Sequence, residues 1–278
     1  MKLCRYGEPG EERPALIDES GVLRSLAGVI GDLSPKVLAP ARLASLAAID
    51  PQSLPRVDHG QRLGVPVAGI GKYICIGLNY RDHAEEAGLS VPDEPIVFLK
   101  AITALSGPND PILPPAGASR LDWEAELAVI IGTRAKTIEL SAALDHVAGY
   151  CVANDVSERA FQMQSSQWDK GKGCDTFGPL GPWLVTKDDV PDPQNLEIWL
   201  DVNGRRMQRG NTRTMIFSVA EIVAYVSRYM TLMPGDVIAT GTPPGVGMGM
   251  RPEPVYLRSG DLVELGIEGL GRQRQYVA

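Results

Sequence analysis

The stretch Leu-Asp-Trp-Glu-Ala-Glu-Leu-Ala-Val-Ile-Ile, from Leu121 to Ile131, restricts the fold of this chain more than any other. Its second half is apolar and β-branched, which favours a strand, and side chains on a strand alternate between its two faces. Glu124 and Glu126 then point the same way, with Cα atoms about 6.5 Å apart. The Trp, Leu, Val and Ile around them imply burial. Two buried like charges need a counter-cation, or else one of them takes up a proton, and a bound divalent metal is the usual solution. An edge strand with two solvated glutamates is the alternative this segment alone leaves open.

A chain of 278 residues suits one large domain, or a small domain joined to a larger one. Its formal charge of -7 speaks against a nucleic-acid groove or an anionic membrane surface as partner. Cys4, Cys75, Cys151 and Cys174 are far apart and lack the close pairing of a zinc knot or a redox motif, so they read as free thiols. There is no apolar signal core at the N-terminus and no run of the roughly 18 apolar residues that span a bilayer. A cytoplasmic protein is expected.

Residues 1 to 68 alternate short apolar groups with turn residues and offer no chemistry. Proline and glycine cluster at Gly64-Val65-Pro66 and Gly69-Ile70-Gly71, so a small N-terminal domain (1–68) and a catalytic domain (69–278) are expected. Lys72 to Gly77 reads as a strand that leads into a short helix over Asp82 to Ala87, stopped by Gly88. Three residues apart on that helix, His83 and Glu86 share a face, and a carboxylate beside an imidazole fixes its tautomer and raises its basicity, as a general base requires. A solvated helix is the plainer alternative. The prolines of Val91-Pro92-Asp93-Glu94-Pro95 suggest that this segment is a mobile flap.

Tyr150 to Ala153 reads as a strand with Asn154-Asp155 at its end. Asp155 there is either a third oxygen ligand or the N-cap of a helix over Val156 to Gln162. An all-carboxylate set suits hard Mg²⁺, Mn²⁺ or Ca²⁺, and the three histidines, His59, His83 and His146, show no zinc spacing. Lys172, in Gly171-Lys172-Gly173, is expected on a loop, either against an anionic ligand or simply solvated. Ser218 to Met230 is the strongest helix, with a Ser218/Glu221 capping box and an apolar stripe of Val219, Ile222, Val223 and Val226. Thr240-Gly241-Thr242-Pro243-Pro244-Gly245-Val246-Gly247 lacks the Gly-Lys-Ser/Thr ending of a phosphate loop and fits carboxylate binding by backbone amides.

Six motifs in series give the chain a resemblance to the fumarylacetoacetate hydrolase family. They are Gly-Leu-Asn-Tyr-Arg-Asp-His-Ala-Glu-Glu, Phe-Leu-Lys, Asp-Trp-Glu-Ala-Glu-Leu, Asn-Asp-Val-Ser-Glu-Arg, Lys-Gly-Cys-Asp-Thr-Phe and Thr-Gly-Thr-Pro-Pro-Gly-Val-Gly, spread over residues 70 to 270. The resemblance implies an α+β, β-rich fold: a mixed β-roll behind a small N-terminal domain, as a homodimer with Mg²⁺ or Mn²⁺. It makes Glu124, Glu126 and Asp155 the metal ligands and His83 and Glu86 a dyad on a lid. It places Lys172, Arg159, Gln162 and Thr242 around the substrate, and with them Lys100, which matches the lysine of the Phe-x-Lys motif. One residue departs from the pattern. Acylpyruvase-like members carry Arg before Asn-Tyr where this chain has Leu78, which is more similar to the branch of 2,4-diketo-3-deoxy-sugar-acid hydrolases and ureidoglycolate lyases.

The expected reaction is hydrolysis of a C–C bond in a 2,4-dioxo acid, with release of pyruvate. His83 would activate water, while Lys172 and Gln162 face the developing oxyanion. Decarboxylation of an oxaloacetate-like acid, isomerisation of a dienoate, and ureidoglycolate cleavage use the same kind of site. A metabolite-binding module without catalysis is the non-enzymatic alternative, and such a module has no need of a base on a flap.

Overall fold

β-branched and aromatic runs bounded by Gly and Pro give this chain more strand than helix. A computed structural model describes residues 1–278, the side chain of Ala87 excepted. The strands are β1 (Lys2–Tyr6), β2 (Arg13–Ile17), β3 (Leu23–Ser25), β4 (Tyr73–Gly77), β5 (Ile96–Lys100), β6 (Leu105–Ser106), β7 (Leu121–Asp122) and β8 (Ala125–Ile131). They continue with β9 (Val147–Asn154), β10 (Ser157–Glu158), β11 (Gly178–Thr186), β12 (Glu197–Val202), β13 (Arg205–Asn211), β14 (Val237–Ala239), β15 (Leu262–Ile267) and β16 (Gly271–Tyr276). The α-helices are α1 (Pro40–Ala47), α2 (Arg81–Ala87), α3 (Arg159–Gln162), α4 (Asp169–Lys172) and α5 (Val219–Tyr229).

A large mixed sheet runs β3-β2-β1-β11-β9-β8-β14-β4-β5, with β6 alongside β11, and a four-stranded sheet runs β13-β12-β15-β16. The fold is β-rich α+β, as the sequence leads one to expect. Alternation along β8 divides its side chains between two cores. Ala125, Leu127, Val129 and Ile131 join Ile198, Leu200, Val263 and Leu265 of the smaller sheet, whereas Ala128 and Ile130 face the other way, into a second core. Leu3, Leu16, Leu26, Leu33 and Leu38 belong to that second core. The N-terminal strands thus cover the second face of the large sheet and also extend it, since β1 pairs with β11 in the register Leu3↔Leu184.

The capping box that starts α5 is present: the Ser218 side chain accepts from the Glu221 N–H, and Glu221 accepts from the Ser218 N–H at 2.7 Å. Val219, Ile222, Val223 and Val226 are buried, each contributing about 1.5–3 kcal/mol of hydrophobic stabilisation. That helix closes the first core. Among the described residues, no helix is long and apolar enough to cross a membrane.

Candidate active site

Strand pairing assembles the acids. In the β8–β9 register Ala125 lies opposite Asn154 and Glu126 opposite Ala153, and the Asp155 N–H donates to the Glu124 carbonyl at 2.9 Å. The step past the end of β9 therefore brings Asp155 beside Glu124. Carboxylate oxygens of Glu124, Glu126 and Asp155 all lie within 4.8 Å of one another, and all three residues are buried. The strand expected over Leu121 to Ile131 is interrupted at Trp123–Glu124, because the Asp122 carboxylate takes the Trp123 N–H at 2.8 Å in place of a strand partner.

Three cations surround these acids. Lys172 Nζ donates to Glu124 Oε2 at 2.7 Å and to Asp155 Oδ2 at 2.8 Å. Lys100 Nζ donates to Asp155 Oδ1 and, at 3.0 Å, to the Val156 carbonyl. Arg159 donates to Glu124 at 2.6 Å, to Asp122 at 2.8 Å and to Gln162 Oε1 at 2.9 Å. Burial opposes ionisation of Glu124, but Lys172 and Arg159 outweigh it and hold its carboxyl at about 2. Burial also opposes the charge on Lys172, and Asp155 and Glu124 override it, so its pKa is raised.

Glu126 has no such support. It accepts the Gly241 N–H at 2.9 Å, and among the described residues no cation touches it. Burial, then the charges of Asp155 and Glu124, push its pKa well above the usual carboxylate value. Counted as ions, the carboxylates of Asp122, Glu124, Glu126 and Asp155 exceed Lys100, Lys172 and Arg159 by four to three. A hard divalent cation fits this set on two counts. The donors are all oxygen, and the uncompensated acid is the one aimed at the other two. With such a cation the group would become net positive by one.

Glu124 and Glu126 open into a cavity of about 450 Å³ that His83, Glu86, Arg159, Gln162, Lys172 and Thr242 also line. His83 Nδ1 is 3.2 Å from Glu86 Oε2, which leaves Nε2 as the second ring nitrogen. Glu86 in turn accepts the Gly245 N–H at 3.1 Å, so the dyad is fixed to the Thr240–Gly247 loop. Gly241 in that loop is left-handed (φ +97°), and a Cβ there would lie 2.7 Å from the Asn79 Cβ. Only glycine lets the loop pass and aim its N–H at Glu126. Thr242 donates to the Ala125 carbonyl at 2.9 Å and accepts from Gln208 at 2.8 Å.

Some placements differ from the sequence reading. Lys100, expected at the substrate, is fully enclosed on Asp155 and Val156 and borders a separate groove instead of this cavity. Asp155 is likewise behind the cavity wall rather than on it. Lys172 is not on a loop: α4 forms one turn because the Trp168 carbonyl accepts both the Gly171 and the Lys172 N–H, and the lysine is buried rather than solvated. Asp155 caps no helix, since the N-cap of α3 is Glu158, whose side chain accepts the Ala160 N–H at 3.0 Å.

Two buried polar residues escaped the sequence reading. Asp122 holds Arg159 and accepts the Gly247 and Met248 N–H groups at 2.7 and 3.0 Å, joining the acid strand to the far loop. It stands two residues before Glu124, and the same alternation that singled out the glutamates extends to it. Gln208, which bridges the Ala125 N–H, Thr242 and the Pro243 carbonyl, carries no comparable signal on its exposed-looking strand.

The chain is similar to known proteins over nearly its whole length. The C-terminal description of fumarylacetoacetate (FAA) hydrolase matches residues 72–278. A Burkholderia cenocepacia protein that carries the provisional name of hydrolase is 58% identical over 276 residues, 99% of this chain and 98% of that one. The fumarylacetoacetate hydrolase of Exiguobacterium antarcticum superposes with a TM-score of 0.89 at 38% identity, covering 100% of this chain and 99% of that one. A 2-hydroxyhepta-2,4-diene-1,7-dioate isomerase from Mycobacterium marinum gives 0.77 at 35%, over 100% and 98%. Along nearly its whole length, then, this chain belongs to the fumarylacetoacetate hydrolase family.

Proposed function

We propose that the protein is a divalent-metal-dependent hydrolase that cleaves the C3–C4 bond of a 2,4-dioxo acid and releases pyruvate. One observation carries this reading: Glu124 and Glu126, two of three clustered carboxylates, face the same cavity as a His83–Glu86 dyad, and Glu126 has no cation partner among the described residues. Glu124, Glu126 and Asp155 are the residues that would hold Mg²⁺ or Mn²⁺. Bound there, the cation would supply Lewis acidity to the 2-oxo acid.

The chain's own groups do the rest. His83, oriented through Nδ1 by Glu86, takes a proton from water, and the hydroxide formed adds to the C4 carbonyl. The Gln162 carbonyl oxygen is already occupied by Arg159, so its NH₂ end is the one that meets the oxyanion, beside Lys172. Collapse breaks C3–C4. The electron pair stays on the pyruvate fragment, and the proton on His83 returns to C3.

The test is to assay the purified protein with Mg²⁺, with Mn²⁺ and with EDTA against a panel of 2,4-dioxo acids and oxaloacetate, with pyruvate detected. Metal-dependent pyruvate release from a 2,4-dioxo acid supports the reading. The isomerase named for the Mycobacterium marinum structure motivates a second one, double-bond migration in a 2-hydroxydienoate at the same site. Under that reading the ultraviolet absorbance of a dienoate changes and no pyruvate forms.

A further inference from the structure

Beyond the acids, the dyad, Arg159, Lys172, Gln162 and Thr242, the cavity changes character. Its remaining walls are built largely from Leu78, Phe98, Trp168, Met163 and Met248. Among the described residues lining this part, only Trp168 and Arg251 offer side-chain hydrogen-bonding groups. The apolar region begins directly at the chemistry. Lys172 Nζ, bonded to Glu124 and Asp155, lies 5.2 Å from the centre of the Phe98 ring, and Phe98 meets Trp168 edge to face at 5.3 Å.

That corner is constructed rather than incidental. Trp168 lies so close over β4 that a Cβ at Gly77 would come within 2.7 Å of its ring. The next residue, Leu78, is in the left-handed region (φ +47°), at a cost of about 1–3 kcal/mol for a side chain of its kind. Asn79 holds the backbone there by donating to the Phe217 and Thr240 carbonyls at 3.1 and 2.7 Å. At the mouth, Met163 is 66% exposed and Leu89 57%. Such a lining suits apolar atoms and offers a chain of hydroxyl groups few partners.

We infer that the substituent on C4 of the substrate is an apolar alkyl, alkenyl or aryl group, selected by Leu78, Phe98, Trp168 and Met163, and not a polyhydroxylated chain. This inference rests on the proposed binding of a 2-oxo acid head at the carboxylates. It runs against the sugar-acid class that Leu78 suggests by resemblance, because the cavity sets that leucine among other apolar walls.

The experiment is calorimetric binding to the Mn²⁺-loaded protein of pyruvate, 2-oxobutyrate, 2-oxohexanoate, phenylpyruvate and 2-keto-3-deoxygluconate. Affinity is expected to rise about fourfold per buried methylene, with phenylpyruvate among the tightest and the sugar acid weaker than 2-oxohexanoate. Tryptophan fluorescence should change with the long ligands, and Trp168→Phe should remove most of that change. Met163→Gln, at a site already largely in water, should lower the ratio of 2-oxohexanoate to pyruvate affinity, and Leu78→Ser should lower it further. A flat series, or tighter binding of the sugar acid, overturns the inference. If the series rises while no 2,4-dioxo acid is cleaved, the proposed reaction fails and the inference stands. Cleavage with no dependence on the C4 substituent gives the reverse. Absence of binding by every 2-oxo acid sinks both.

Discussion

Glu126 is the acid that the protein's own cations leave uncompensated, and this makes it the sharpest probe of the metal site. A carboxyl whose pKa is raised on folding stays protonated where the unfolded chain has already ionised, so it lowers stability as pH rises above the unfolded value of about 4.3. In the metal-free protein, Glu126→Gln is therefore expected to raise the melting temperature at pH 8 and to have little effect at pH 4. The gain should grow by up to about 1.4 kcal/mol per pH unit until the native carboxyl itself ionises. Glu124 works in the opposite sense: held at about 2, it stabilises above the unfolded pKa and loses that contribution as pH falls. The same Glu126→Gln variant should show no stabilisation by added Mn²⁺ in thermal melts. A wild-type-sized Mn²⁺ shift in it would remove Glu126 from the ligand set. For the dyad, His83→Asn should cost about 10²–10⁴ in kcat while Mn²⁺ affinity by calorimetry is kept, because no proposed ligand is touched.

The glutamate pair was legible because a strand's alternation is local and needs no knowledge of the rest of the chain. Lys172 was legible as a residue but not as a structure. Its two flanking glycines count against a helix, and what forms α4 is a single turn hung on the Trp168 carbonyl, packed over the acids it neutralises. Lys100 was misplaced for a related reason: its reach to Asp155 depends on β5 lying at the edge beside β4, a long-range pairing that no spacing reveals. The segment expected to be a flap follows local rules more closely. Gly88 in the left-handed conformation (φ +66°) ends α2, as glycine at that position commonly does. The segment is held by few bonds: Glu86 to the Gly245 N–H, Tyr225 to Glu94 at 2.7 Å, and Asp82 to Thr214 at 3.4 Å. Few anchors make local opening cheap. Amide hydrogens of residues 81 to 94 should exchange faster than those of β8, and slow by tenfold or more when Mn²⁺ and a 2-oxo acid are both bound. Equal exchange with and without ligand would rule out closure.

At the scale of the whole molecule, residues 1 to 68 and the sheet that carries the acids share one hydrophobic layer. Leu3 and Leu16 pack in the same core as Ala128, Ile130 and Cys151, on the face of β8 toward which Glu126 also points. Sequence reading could place a Pro- and Gly-rich junction near residue 68, but not the pairing of β1 with β11 from the far end of the chain, since the bonds that make it join residues more than 180 apart. This arrangement predicts that the N-terminal segment and the carboxylate-bearing sheet fold as one unit. Leu3 is fully buried, and Leu3→Ala should destabilise by about 2–5 kcal/mol through lost burial and the cavity left behind. If the two segments unfold as one cooperative unit, the whole denaturation curve shifts: tryptophan fluorescence, dominated by residues after 120, and far-ultraviolet circular dichroism should move together to lower urea. Two separated transitions, with only the first displaced by Leu3→Ala, would show instead that the N-terminal segment melts alone. In that case activity should persist on the plateau between them, and the segment's role would be to cover an apolar sheet face rather than to hold the carboxylates in place.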